Sequence, residues 1–319
     1  MTATALLDQI CRRRPSGDLA DLRRVRTDVR ERVACLAPYL SDDDAAQLIA
    51  NPDAEGFAFA PQTNDDGTAP TDLHARVYTA KARAAHVWAN LADPDPRQLT
   101  WLRDERCIDT ENPRVRPELR GTPFRIAPSI LAGDPDLART VSYVNAEPAI
   151  AIAVRSDDAR VVDVRFRRIA PRGDLRLVGM VGNVTRCGDE LIGCYGRLDH
   201  FEHRDVVIVE GLIDYLTALQ LWPSADVLGA TDAGAFPLVA RHGAKRARAS
   251  GGRLLLCVHA DALDHDPAST REPAGETAGL RAGRFARAEG LRVDDDLIFV
   301  DLDRHQDLNA AHVAGWRPQ

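Results

Sequence analysis

The sequence predicts an α/β fold built on a parallel sheet, and three observations point that way. From residue 205 onward, short apolar runs alternate with helix-length segments. The first run, Val206-Val207-Ile208-Val209, is wholly β-branched. Acidic residues gather just after the ends of successive runs. Four β-branched apolar residues are too few for a helix and read as a strand buried on both faces. Strands alternating with helices imply parallel pairing through right-handed crossovers, with helices on both faces of the sheet.

The elements of this C-terminal part follow in order. A helix over 212–221 succeeds the first strand, then a strand over 226–231 and a helix over 237–249. Gly251-Gly252 leads into a third strand, 253–258. A helix rich in Ala, Arg and Gly covers 274–289, a fourth strand 297–300 and a closing helix 307–313. Upstream, 75–91 reads as a helix carrying Val77, Trp88 and Leu91, and 97–106 as another. Strands are expected over 149–154, 161–169 and 175–178. In 161–169 apolar and polar residues roughly alternate, which puts Asp163, Arg165 and Arg167 on one face, either solvated or turned toward a phosphate backbone. Residues 1–50 show a helical stripe, Leu19, Leu22, Val25, Val29 and Val33, and Ser41 with Asp42-Asp43-Asp44 starts a further helix. Asn51-Pro52, Asn64-Asp65-Asp66-Gly67 and Pro70 mark a linker. Three regions result: 1–73, a helical module plus linker; 74–204, a mixed α/β subdomain; and 205–319, the parallel α/β domain.

Composition bounds the function. The 319 residues are 45% hydrophobic and 28% charged, enough to build a core and too apolar for wholesale disorder. The formal charge is −7, from 41 basic and 48 acidic residues; Lys81 and Lys245 are the only lysines. Bulk charge therefore cannot grip nucleic acid, and any such grip needs a local arginine patch. No run approaches the roughly 20 apolar residues of a membrane span. Arg12-Arg13-Arg14 follows the short apolar start instead of preceding it, unlike a secretory leader. Six thinly spread cysteines with no C-x-x-C pair fit a reducing cytoplasm and argue against a zinc ribbon.

Ligands of open α/β sheets lie beyond the carboxyl ends of the strands. There this sequence sets Glu210-Gly211 with Asp214, then Asp232, then His259-Ala260-Asp261 with Asp264 and Asp266, then Asp301, Asp303 and Asp307. Carboxylates a few ångströms apart raise one another's pKa and call for a cation. Carboxylate oxygens suit Mg²⁺, which can stabilise a reacting phosphoryl group. Asp307, before a helix, fits a cap as well as a ligand.

The ordered set Val206-Val-Ile-Val-Glu210-Gly211-Leu-Ile-Asp214, His259-Ala-Asp261 and Asp307-Leu-Asn309 resembles the TOPRIM domain. The form is that of bacterial-type primases, phage primase-helicases and their mobile-element relatives. Val164-Arg-Phe-Arg-Arg-Ile169 and Gly193-Cys-Tyr-Gly196 are similar to the region preceding TOPRIM in primases. Trp88 and 102–108 are similar to a segment of phage and plasmid primase-like proteins. The resemblance covers about residues 75–319 and implies a Rossmann-like TOPRIM sheet after a primase-like subdomain. It implies Glu210 as general acid/base and Mg²⁺ or Mn²⁺ held by Asp261 with His259, Asp214, Asp264 and Asp307. Single-stranded DNA would lie along Arg165, Arg167, Arg168, Lys245 and Arg246.

The implied activity is synthesis of short primers on single-stranded DNA from nucleotides, in the cytoplasm, with a separate helicase or other complex subunit as partner. Two alternatives stand beside it: a catalytically weakened TOPRIM protein that binds nucleic acid or a partner, and a metal-dependent nuclease in phage defence. The departures matter. His259 stands where the family has the first Asp of an Asp-x-Asp pair, and imidazole is a poor ligand for Mg²⁺. A polar insertion, 263–272, separates Asp261 from the next helix. The sequence has no phosphate loop of a helicase motor and no zinc module.

Overall fold

Gln98 shows how the upstream part is held together. Asp95 caps helix α2 (Pro96–Arg106) by accepting the Gln98 N–H, and the Gln98 side chain accepts the Asp95 N–H in return. This reciprocal box satisfies two N–H groups that a helix start leaves orphaned. The buried Gln98 amide then donates to Thr122 O at 2.7 Å and Ala149 O at 3.1 Å, tying the helix to a sheet. The computed structural model describes residues 83–128, 135–170, 177–179, 186–187, 190–260, 274–303 and 305–318. The module and linker expected over 1–73 lie outside these residues.

Helix α1 covers 83–90 of the described residues, and α2 spans Pro96–Arg106. A four-stranded antiparallel sheet follows in the order β1 (Arg120–Gly121), β2 (Ala149–Arg155), β3 (Val161–Arg168), β4 (Leu177–Gly179). Helix α3 (Pro135–Asn145), between β1 and β2, has no counterpart among the sequence expectations. With α1 it covers one face of the sheet, where Val87, Leu137, Val141, Ala151, Val164 and Phe166 form a core.

The other face of β3 corrects the solvated or phosphate-facing surface expected for it. Arg165 is 3% exposed and pairs at 2.7 Å with Asp163, which is fully buried. Both faces of β3 are covered, so its polar alternation marks an internal ion pair. Arg168 is also buried, beside Glu147 at 3.5 Å and over the Tyr143 ring at 4.3 Å.

A short pair, β5 (Arg186–Cys187) and β6 (Glu190–Leu191), leads to the link between the two sheets. Cys194 exchanges both backbone bonds with Arg155 of β2, and Tyr195 exchanges both with Gly229 of β8 (Ala225–Ala230). Gly229 is required there, since a Cβ would meet the Tyr195 ring at 2.8 Å.

The second sheet is wholly parallel, ordered β10 (Leu297–Phe299), β9 (Leu254–Leu256), β7 (Asp205–Glu210), β8 (Ala225–Ala230). The crossovers carry α4 (Leu212–Leu221), α5 (Phe236–Ser250) and α6 (Ala274–Ala288), and α7 (Leu308–Val313) closes the chain. Val207 and Val209 pack against α4 and α7, whereas Val206 and Ile208 pack against α5 and α6. A strand covered on both faces needs apolar residues at every position, which is why the 206–209 run is continuous. Residues Lys81–Gln319 form one packed unit. Among the described residues, no helix is long and apolar enough to cross a membrane.

Candidate active site

The carboxyl end of β7 sets the site. Glu210 is its last residue, and Gly211 turns the chain into α4 with φ +89°, a conformation that side chains with a Cβ rarely adopt. The Gly211 N–H donates to Ala230 O at 2.8 Å, and its carbonyl accepts the Tyr215 N–H. This turn puts Asp214 in the first turn of α4, where it is buried.

Both Asp214 oxygens are engaged. Oδ1 accepts the backbone N–H of Asn309 at 2.9 Å, and Oδ2 lies 2.8 Å from His259 Nε2. The other ring nitrogen, Nδ1, is 4.0 Å from Glu210 Oε2. Asn309 is buried and donates from Nδ2 to Arg106 O and Thr217 Oγ1, both at 2.9 Å, which joins α7 to α2 and α4. His259 follows β9, and the neighbouring Ala260 N–H donates to Gln306 O at 2.8 Å. From the far side, α6 presses Gly275 against His259, where a Cβ would meet the His259 Cβ at 2.8 Å.

Electrostatics favour a proton at this position. Burial opposes the charged imidazole, but the Asp214 hydrogen bond and charge outweigh it, with Glu210 and Asp307 adding to the pull. The His259 pKa rises from 6.5 to about 9. For Asp214, burial pushes the carboxyl up, while the His259 bond and the Asn309 N–H pull it down. The pair therefore shares one proton up to about pH 9.

Three further acids have local partners. Asp307 is the N-cap of α7, accepting the Ala310 N–H at 2.7 Å. Asp232 accepts the Ala235 N–H at 2.9 Å, and Asp301 accepts the Asp303 N–H at 3.0 Å. Among the described residues, no three His, Cys, Asp or Glu side chains stand ready to hold a metal ion. Mg²⁺ needs free carboxylate oxygens and room for its waters. As placed here, both oxygens of the buried Asp214 are already engaged.

The other sequence candidates scatter. Asp261 and Asp264 lie outside the described residues. Arg165 and Arg168 sit in the buried ion pairs of the antiparallel sheet, and Arg167 is partly buried on β3. Lys245 is exposed on α5. Arg246 is half-buried over the Phe201 ring at 5.3 Å and donates to His203 O at 3.3 Å. The sequence places His259 and Asp214 in one expected ligand set, but their direct bond is not foreseeable, because nothing in the spacing of 214 and 259 indicates contact. Asn309 was visible only within the Asp307-Leu-Asn309 motif.

No family model matches this chain, and no curated protein matches it. Solved structures do. The neighbours are primase catalytic cores. One is the DnaG primase catalytic domain bound to ssDNA, 13% identical over 76% of this chain and 77% of that one, with TM-score 0.48. Another is the Aquifex aeolicus primase comprising zinc-binding and RNA polymerase domains, 14% identical over 90% and 67%, TM-score 0.45. A third, from a bacteriophage T7 polymerase complex with primase domains on an RNA/DNA hybrid, is 16% identical over 56% and 80%, TM-score 0.38. These are likenesses in the path of the chain; the roles of side chains rest on the geometry above.

Proposed function

We propose that this chain is a primase-type TOPRIM protein that binds single-stranded nucleic acid, with the metal set of its catalytic centre weakened by His259. The observation that carries this reading is the engagement of both Asp214 oxygens, one by the His259 ring at 2.8 Å and one by the Asn309 N–H at 2.9 Å. The ordered motifs of the C-terminal half support the TOPRIM assignment. An imidazole supplies inside the cluster the positive charge that a divalent cation supplies in a TOPRIM centre of the usual pattern, where it activates and steadies the reacting phosphoryl group. Glu210 and Asp214 are then held by a fixed internal cation, and the site becomes a rigid polar junction between β7, α4 and α7. Such a subunit would work beside a separate helicase or polymerase.

One observation favours nucleotidyl transfer as the second reading. Glu210 stands at the carboxyl end of β7, partly exposed, with His259 Nδ1 4.0 Å from its Oε2. That is the position at which the family resemblance expects a general acid/base.

Incubation with ribonucleotides, single-stranded DNA and Mg²⁺ or Mn²⁺ tests the proposal. The expected result is retention of the DNA in a salt-dependent way, with no short oligonucleotides made. Short products abolished by Glu210→Gln would overturn it in favour of primer synthesis. Degradation of the DNA without nucleotides would overturn it in favour of a nuclease.

A further inference from the structure

Helices α5 and α6 lie side by side over one face of the parallel sheet and carry seven basic side chains against a single acidic one. The chain as a whole is acidic, at −7, so this face concentrates the opposite charge. Its orientation follows from the buried side. Gly275, Ala278, Gly279, Ala282, Gly283 and Ala286 line the buried side of α6, toward α5 and the sheet. A Cβ at Gly279 would meet Val258 Cγ1 at 2.7 Å, and one at Gly283 would meet the Phe299 ring at 2.8 Å. Close contact by small residues fixes the helix rotation, and Arg281, Arg284 and Arg287 are all exposed.

On α5 the exposed cations are Arg241, Lys245 and Arg248. Arg241 pairs with Glu289 at 3.3 Å and lies over the Phe285 ring of α6, while Arg248 donates to the Glu289 carbonyl. These contacts bring the basic side of α5 against the C-terminal part of α6. Among the described residues, Lys245, Arg281, Arg284 and Arg287 show no acidic partner. Spaced three residues apart, the α6 arginines rise by about 4.5 Å per step along the helix.

We infer that the α5–α6 face is a second nucleic-acid surface that holds the phosphodiester backbone, apart from the Glu210–His259 site. Repeated arginines, each with a planar fork for two phosphate oxygens, suit an evenly charged chain. A nearly unbroken positive face lacks the mixed charges that would set the register of one protein partner. The face also continues from the candidate site, because α6 begins with Gly275 against His259. A strand bound there would pass beside that centre without needing its carboxylates. This inference rests on the nucleic-acid reading proposed above.

The test uses the full chain with Lys245, Arg281, Arg284 and Arg287 all replaced by glutamine. Binding of a fluorescent single-stranded oligonucleotide and of a duplex is measured between 50 and 200 mM salt. Each lost phosphate contact lowers the slope of log affinity against log salt by about 0.7 on single strands and 0.9 on duplex. The expected loss is thus up to about 3 on the single strand, with the fold verified by circular dichroism. A companion variant that keeps charge, Lys245→Arg with the three arginines changed to lysine, should keep the slope.

An unchanged slope in the glutamine variant overturns the inference and leaves the proposed function standing. A wild type that binds neither oligonucleotide at 50 mM salt overturns both. Tighter binding to polyglutamate than to either oligonucleotide, lost in the same glutamine variant, overturns it in favour of an acidic protein partner.

Discussion

His259→Asp introduces the carboxylate that the proposed TOPRIM pattern would carry at this position, and its consequences follow from the 2.8 Å bond to Asp214. In the wild type, raising the imidazole pKa from 6.5 to about 9 corresponds to as much as about 3 kcal/mol of stability near neutral pH. The variant loses that interaction and sets a third negative charge beside Glu210 and Asp214. For a unit of this size, about 3 kcal/mol lowers Tm by about 6–12 °C. The three carboxylates now need a cation. At 100 times its Kd, Mg²⁺ would return about 2.7 kcal/mol. Thermal unfolding of both proteins, with EDTA and with increasing MgCl₂, reads this directly. The expected result is a wild-type Tm that ignores Mg²⁺ and a variant Tm that is depressed in EDTA and recovers with Mg²⁺. A wild type that Mg²⁺ stabilises as much as it does the variant would rule out this role for His259, as would a variant as stable as wild type in EDTA.

Other substitutions probe the same framework. Because the folded pKa of His259 is raised, its contribution is complete below about pH 6.5 and is lost as pH rises through about 9. Wild-type Tm should therefore fall more steeply than that of His259→Gln between those values, and parallel curves would count against the pairing. Gly275→Ala puts a methyl group against His259, and overpacking of about 1–3 kcal/mol should appear in urea unfolding together with a shifted His259 ring resonance. Arg165→Met removes the guanidinium beside the buried Asp163 and should cost about 3–5 kcal/mol in urea, while Asp163→Val with Arg165→Met should recover most of it. Neither Arg165 variant should alter the salt slope of DNA binding. If one does, Arg165 contacts nucleic acid after all.

Much of the C-terminal fold was legible because one physical cause dominates it. Strands covered on both faces must be apolar throughout, so 206–209 and 254–256 stand out, and the helices between them have little freedom. The observed ends lie close to those expected: β8 runs 225–230 against 226–231, and α5 runs 236–250 against 237–249. Asp307 proved a helix cap, one of the two readings its position allowed. The upstream half was harder to read. Helix α3 escaped notice, and the polar alternation of β3 suggested a wet face because a sequence cannot show that Asp163 and Arg165 neutralise each other inside the core. The site was half legible. Residues after strand ends were identified from topology alone, but the His259–Asp214 bond joins positions 45 residues apart and exists only once β9 lies beside β7.

In the proposed function, a proton shared by His259 and Asp214 stands where the TOPRIM pattern would carry a metal. Ring-nitrogen NMR of His259, followed with pH and with added Mg²⁺, tests it most directly. The expected spectrum is that of an imidazolium that persists to about pH 9 and is unmoved by millimolar Mg²⁺ at neutral pH. A ring that titrates near 6.5, or that loses its proton when Mg²⁺ is added, would contradict it.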